Sequence, residues 1–179
     1  MRTFSVTIKG VEPGLLMHKF ADQTGTDIQN PVKARTKERP TAEEDARMSA
    51  YLLSTGELYQ PAEHIYQCMV KAASEFQIQG RGKKTYKDLV KGGVIVTPEC
   101  IPHLDGDYEI DSRPVVIQRA RVMRHRPLLK DWELTFDIAV IDDGIPMEVL
   151  NKILQRAGEQ IGIGDYRPRF GRFIVTKFE

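Results

Sequence analysis

The sequence has few features of secreted, membrane or metal-binding proteins. It contains two cysteines, Cys68 and Cys100, without metal-ligand spacing, and we interpret them as buried thiols in a reducing compartment. No apolar run approaches the length of a membrane span, and the first residues alternate between polar and apolar instead of forming a signal segment. We therefore predict a cytoplasmic protein that does not contact a membrane.

The chain also lacks a large net charge, since its formal charge is +1. Its composition as a whole therefore carries no electrostatic signature of nucleic-acid binding. The charges are nevertheless separated along the chain, which favours binding a polyanion on one face or head-to-tail assembly of copies; ordinary mixing of surface charges is the alternative. Basic clusters lie at 33–39, 81–91, 119–130 and 167–172, and acidic clusters at 43–45, 105–111 and 131–143.

Motifs for catalysis are missing as well. The sequence has no phosphate-binding P-loop, dinucleotide fingerprint or nucleophile elbow. Asp142-Asp143-Gly144 is typical of a turn, and the histidines have no metal-ligand spacing. We predict no cofactor, no metal and no catalytic residue. The four histidines are His18, His64, His103 and His125.

Hydrophobic periodicity predicts the main elements. Residues 3–8 alternate with period two, which is typical of a half-buried strand. Apolar residues at helical spacing follow Pro61 as far as Gly80, and a second such stripe follows Pro146 and ends at Gly158 or Gly162. Shorter elements are a helix starting near Pro40-Thr41, a helix at 85–91, a strand at 94–96 and a closing strand at 172–178, with a surface excursion at 98–114.

A β-hairpin is predicted from two alternating segments, 115–125 and 131–141, joined by 126–130. Val116, Ala120 and Val122 of its first strand would face the core. The opposite face of that strand would then carry Arg119, Arg121 and His125.

Without its insertions the chain becomes β-α-β-β-α-β. This order predicts an α+β, ferredoxin-like fold, with an antiparallel sheet, two helices on one face and a long inserted arm. We expect a single domain over 1–179, with the arm at about 21–47 and a basic loop at about 79–91. Basic residues occupy both insertions: Lys33, Arg35, Lys37 and Arg39 in the arm, and Arg81, Lys83 and Lys84 in the loop.

The most informative segment is the glycine–arginine loop, residues 162–173. Glycine permits sharp turns, arginine binds phosphate through a rigid set of donors, and aromatic rings stack on bases. The alternative is a structural loop in which Gly162 caps a helix and the arginines are solvated. The candidate binding residues are Gly162, Gly164, Tyr166, Arg167, Arg169, Phe170 and Arg172.

A glycine-rich loop between the last helix and last strand of such a fold resembles the RAMP superfamily, the RNA-binding proteins of CRISPR systems. Gly162, Gly164, Gly171 and Phe173 carry this resemblance. The segments Leu15-Leu16-Met17-His18 and Arg126-Pro127, together with Trp132, are also similar to uncharacterised phage and prophage proteins. The chain is shorter than the large RAMP backbone subunits that coat guide RNA.

The sequence thus predicts a non-enzymatic protein that binds single-stranded RNA or DNA and assembles as a homo-oligomer along the strand. Arg119, Arg121, Arg81, Lys83 and Lys84 would add phosphate contacts to those of the loop. Two alternatives remain: a metal-independent RAMP-type endoribonuclease with His18 as general base, or a phage protein-interaction, assembly or anti-defence module. RNA and DNA are not distinguished, because recognition of the 2′-hydroxyl depends on local geometry.

Overall fold

A computed structural model describes residues 1–19, 40–104, 106–117 and 119–179. The fold is mixed α+β with antiparallel sheets, as the sequence predicts. The strands are β1 (Arg2–Gly10), β2 (Leu15–Leu16), β3 (Tyr59–Pro61), β4 (Val94–Thr97), β5 (Cys100–Pro102), β6 (Glu109–Ile117), β7 (Ala120–Leu129), β8 (Glu133–Val140) and β9 (Phe173–Phe178). The helices are α1 (Ala42–Ser49), α2 (Ala62–Ala73), α3 (Lys87–Gly93) and α4 (Met147–Arg156), and α4 continues into a π-helical turn, Ala157–Ile161.

The central sheet has four antiparallel strands in the order β4-β8-β1-β9. The predicted alternation of β1 is confirmed: Phe4, Val6 and Ile8 are buried, whereas the side chains between them lie on the other face. The apolar stripes of α2 and α4 join these residues in one core cluster. The opposite face of the sheet is therefore left polar along β1.

The predicted helix starts are confirmed. Thr41 caps α1 in a reciprocal capping box with Glu44, and Pro61 immediately precedes α2. Helix α2 ends at Ala73 rather than at Gly80, because Ser74 bonds back to the carbonyl of Lys71 through its hydroxyl and the chain turns there.

The predicted hairpin of 115–125 with 131–141 is wrong. Strand β7 pairs with β6 along its length, whereas β8 pairs with β1 in the central sheet. Val116, expected in the core, is 70% exposed. Alternation reports which residues share a face of a strand and not which strand lies beside it. Residues 98–114, predicted to be a surface excursion, instead supply β5 and part of β6.

Helix α1 packs on the β6–β7 hairpin through a buried carboxylate. Asp45 accepts a hydrogen bond from the backbone N–H of His125 at 2.9 Å and lies 3.5 Å from Arg124 in an ion pair. His125 is consequently half-buried, and its Nδ1 lies 2.7 Å from the hydroxyl of Ser112. The hairpin is thereby fixed to the segment that follows the predicted arm.

Most of that arm, with Lys33, Arg35, Lys37 and Arg39, lies outside the described residues. The basic loop at 79–91 contains a turn followed by the start of α3. Among the helices of the described ranges, none is long and apolar enough to cross a membrane.

Candidate nucleic-acid interface

The glycine–arginine loop, residues 162–173, is held by backbone hydrogen bonds at both ends. The N–H of Ile163 donates to the carbonyl of Gly171 at 2.9 Å. The N–H of Gly171 in turn donates to the carbonyl of Gly14 at 2.8 Å. The N–H of Asp165 donates to the carbonyl of Leu16, in β2, at 2.9 Å. The loop is therefore a folded unit docked on β2, which presents its side chains from a fixed backbone.

Glycine is required at two of its positions. At Gly164 and Gly171 the φ angles are 77° and 73°, which other residues rarely adopt. A Cβ would lie 2.5 Å from the carbonyl oxygen of Leu16 at the first position and 1.7 Å from that of Ile163 at the second. These glycines let the loop backbone approach its neighbours. The predicted Gly162 likewise ends the π-helical turn, and its carbonyl accepts from the thiol of Cys68.

The predicted aromatic pair divides into a core residue and a surface residue. Phe170 is 2% exposed, so its ring offers no face for a base. Tyr166 is 38% exposed. Arg167 and Arg169 are exposed, and Arg172 is exposed but donates through Nε to the carbonyl of Pro168 at 2.8 Å. Of this pair, Tyr166 is therefore the ring with exposed surface.

Two guanidinium groups lie near the ring of Tyr166. The Cζ of Arg126 is 5.2 Å from its ring centroid and that of Arg113 is 5.6 Å away. The φ angle of Tyr166 is 54°, a costly conformation for a bulky residue. Strain of this kind is concentrated at binding and catalytic sites, so its occurrence at a half-exposed aromatic supports a binding role.

Arg113 and Arg126 come from the base of the β6–β7 hairpin and were not predicted as site residues. Arg113 pairs with Asp111 through two hydrogen bonds and covers the ring of Phe170 with its Cζ 4.6 Å from the centroid. This hydrogen bonding raises the pKa of Arg113 and keeps it charged. Their role follows from strand pairing and burial, for which the local sequence gives no signal.

Arg126 is 7% exposed. Its Nε lies 2.9 Å from Oδ2 of Asp165, without the alignment of a hydrogen bond, and donates to Nδ1 of His18 at 3.4 Å. Its Nη1 has no hydrogen-bond partner within the described ranges. This nitrogen is itself buried, and the charge of Arg126 lies beside the carboxylate of Asp165.

Two histidines flank Tyr51 beside this cluster. The carbonyl of His18 accepts from the hydroxyl of Tyr51 at 3.4 Å, and the ring of His64 meets that of Tyr51 at 5.4 Å. Burial, followed by the charge of Arg126, lowers the pKa of His18; burial and the charge of Arg167 lower the pKa of His64. Both rings are consequently neutral at neutral pH. Because Nδ1 of His18 accepts from Arg126, its proton is assigned to Nε2.

The remaining predicted residues lie in two other places. Arg119 and Arg121 are exposed at the tip of the β6–β7 hairpin, where Arg119 has a φ of 70°. Arg81, Lys83 and Lys84 are exposed in the turn before α3. In the described part of the chain, no hydrogen bond or ion pair joins the side chains of either group to the loop. The site therefore consists of the loop and the hairpin base, with two outlying basic segments.

Within the described ranges, no group of three or more His, Cys, Asp or Glu side chains is arranged to hold a metal ion. No model of a known protein family matches the chain, and no curated protein matches it either.

Proposed function

We propose that this protein binds single-stranded RNA or DNA without cleaving it. Arg167 and Arg169 contact phosphates, and Tyr166 stacks on a base. The observation that carries the proposal is the half-exposed ring of Tyr166, which has a strained backbone, lies near Arg113 and Arg126, and is followed by two exposed arginines. Stacking on such a ring contributes about 1–3 kcal/mol per base.

The proposed core is ferredoxin-like and related to RAMP proteins. The strand order β4-β8-β1-β9, all antiparallel, supports this assignment, as do α2 and α4 in one apolar core against the sheet. The glycine–arginine loop between α4 and β9 is consistent with the RAMP resemblance. The free face of β1 carries Thr3, Ser5 and Thr7, so the aromatic sheet platform of RNA-recognition motifs is not part of the proposal.

Fluorescence anisotropy with a labelled single strand of mixed sequence tests the function. We expect binding at low salt that weakens steeply as salt is added, with a slope of about −0.7 in log K against log salt for each phosphate neutralised. RNA and DNA versions of the strand show which is preferred, and the corresponding duplex is the control. Absence of single-strand binding at low salt would overturn the proposal.

Assembly along the strand is the second part of the proposal. The separated basic and acidic segments of the chain support head-to-tail contacts between copies. Size-exclusion chromatography with and without the strand is expected to show a larger complex that grows with strand length. A defined oligomer of unchanged size, free of nucleic acid, would instead favour a protein-interaction, assembly or anti-defence module.

A metal-independent endoribonuclease is the second candidate, and the position of His18 favours it. Its neutral ring lies beside the buried Arg126, which would stabilise developing negative charge on a phosphate. The test is incubation of end-labelled RNA with EDTA. The enzyme would be established if RNA is cleaved by the wild type and by His125→Ala but not by His18→Ala. If the RNA is bound and stays intact, binding without cleavage is the function.

A further inference from the structure

One exposed apolar surface lies on the β6–β7 hairpin. Strand pairing places Pro114 opposite Met123 and Val116 opposite Arg121, so these four side chains share one face of the ribbon. Val116 is 70% exposed and Met123 is 50% exposed, and Pro114 and Arg121 are exposed as well. We call these four residues the hairpin ridge. Because apolar side chains that are contiguous at the surface mark interaction sites, the ridge is a candidate contact surface.

A second exposed apolar surface lies on the face of the central sheet that points away from the helices. Ile95 of β4 lies opposite Ala139 of β8, and Ile141 points to the same side two residues later. Ile95 is 46% exposed and Ile141 is 54% exposed. Asp137, also exposed, shares this face. We call Ile95, Asp137, Ala139 and Ile141 the sheet patch, which differs from the polar face of β1 beside it.

The two surfaces carry opposite charges. The ridge contains Arg121, and among the described residues that face of the hairpin has no carboxylate. The patch contains Asp137, and beyond it Asp143 lies 3.9 Å from Arg2 in an exposed ion pair. Contact between ridge and patch would bring opposite charges together, whereas contact of either surface with its own kind would bring like charges together. The complement of each surface is therefore present on another copy of this chain.

The hairpin is attached to the end of the central sheet that is remote from the patch. Strand β1 pairs Lys9 with Glu133 at one end and Arg2 with Val140 at the other. The hairpin joins the sheet at the Glu133 end through residues 130–132, and the patch lies at the Val140 end. Contacts between two different surfaces are heterologous, so they continue from copy to copy instead of pairing two copies about a two-fold axis.

We propose that the hairpin ridge of one copy packs on the sheet patch of the next copy bound to the same strand. The inference rests on the proposed function, because it names the surfaces through which copies assemble along the strand. Stable interfaces take about 20–30 residues from each partner, and both surfaces are far smaller. Free copies therefore associate weakly, and the strand joins them by raising their effective concentration.

One substitution in each surface tests the contact. Val116→Glu adds a carboxylate that would face the acidic patch, and Ile95→Lys adds an ammonium group that would face the basic ridge. Neither residue belongs to the glycine–arginine loop, so anisotropy with a strand of about 10 nucleotides, in the range of a single binding site, is expected to give wild-type affinity for both.

A strand of about 50 nucleotides holds several copies and reports on contacts between them. After correction for the number of sites, we expect the wild type to bind this strand at least about tenfold more tightly than the short one, and each variant to lose that gain. Ile174→Lys is the matched control. Ile174 is 51% exposed and lies opposite Lys9, at the other end of the same sheet, so this variant should keep the gain.

The double variant Val116→Glu/Ile95→Lys separates a contact between copies from damage to the fold. It places opposite charges at the two positions, so it is expected to recover most of the gain that each single variant loses. If either single variant fails to fold, Met123→Glu and Ile141→Lys repeat the test at neighbouring exposed positions of the same two surfaces.

The outcomes distinguish this contact from the proposed function. Binding to the short strand with no gain on the long strand in the wild type, or with an equal gain in the single variants, overturns the contact and leaves strand binding intact. A loss in Ile174→Lys equal to that in Ile95→Lys also overturns the contact.

Absence of binding to both strands overturns the proposed function, and sedimentation velocity of the concentrated protein alone then decides about the contact. Association that the single variants abolish and the double variant restores would support it. A protein that stays monomeric at the highest concentration would overturn it.

Discussion

Arginine side chains occur in three states around the loop. Arg126 is buried beside Asp165, Arg113 is paired with Asp111 and covers an aromatic ring, and Arg167 and Arg169 are exposed. The rigid, permanently charged guanidinium suits all three environments. The buried and paired arginines lie near the ring of Tyr166, whereas Arg167 and Arg169 are exposed to solvent.

Replacement of the Tyr166 ring tests its stacking role. We expect Tyr166→Leu to weaken single-strand binding by about 1–3 kcal/mol, because leucine has no aromatic face. Tyr166→Phe is the control, since it keeps the ring and is expected to bind nearly as well as the wild type. Anisotropy at fixed salt measures both variants, and equal affinities for the leucine and phenylalanine variants would contradict stacking.

His103 makes stability depend on pH. Its pKa is about 4 in the folded protein, against an ordinary value of 6.5, so between these values the unfolded chain binds more protons. Its contribution to stability is complete above pH 6.5 and is lost as pH falls toward 4. From pH 7 to pH 5 this histidine should lower the free energy of unfolding by about 2 kcal/mol.

Urea denaturation of the wild type and of His103→Leu at the two pH values isolates this effect. All other ionisable groups are the same in the two proteins. If the free energy of unfolding decreases more in the wild type than in His103→Leu between pH 7 and pH 5, the extra decrease is due to His103. An equal decrease in both proteins would show that the ring is not held in its neutral form by burial.

Among the elements, the β6–β7 hairpin connects α1 to the glycine–arginine loop. Its backbone contacts Asp45 of α1 through the N–H of His125, and its base supplies Arg113 and Arg126 to the site. In β7 the side chains of Arg124 and Arg126 share one face, and His125 between them lies on the other. A displacement of this strand would therefore alter both the helix contact and the surroundings of Tyr166.

Asp45 tests the attachment of α1 to the hairpin. Asp45→Ala leaves the buried N–H of His125 without its acceptor and should cost about 1–3 kcal/mol of unfolding free energy. Asp45→Asn keeps an acceptor oxygen and removes only the ion pair with the partly exposed Arg124, so about 1 kcal/mol or less is expected. Urea denaturation measures both, and equal costs would indicate that the ion pair, not the hydrogen bond, matters.

On the scale of the whole molecule, a formal charge of +1 requires local patches, rather than overall charge, to attract a polyanion. Neutralising the patch on the loop should therefore have an effect out of proportion to the change in net charge. Arg167→Ala/Arg169→Ala is expected to make the salt slope of strand binding less negative by roughly 1.4, or about 0.7 for each phosphate that the variant no longer neutralises.

The matched control for this pair is Lys71→Ala/Lys152→Ala, on exposed positions of α2 and α4. It removes the same charge from the molecule and is expected to leave the slope unchanged. Equal effects of the two double variants would mean that the strand responds to net charge and that the loop is not its binding surface.

The sequence by itself determined the elements whose burial follows a local period. The alternation of β1, the apolar stripes of α2 and α4, the capping box at Thr41 and the glycines of the loop each have a cause within a few residues. The α+β class follows from their order along the chain. The loop that carries the candidate site was therefore identifiable before any contact between elements was known.

Only the tertiary structure decided which strands pair and which loop side chains are buried. Strand β7 pairs with β6 instead of β8, because pairing depends on contacts distant in sequence that a period-two pattern does not encode. That pairing brings Arg113 and Arg126 against the loop, covers Phe170 and leaves Tyr166 at the surface. Local sequence determined that a loop rich in glycine and arginine would form, whereas packing between distant segments determined which of its groups can reach a ligand.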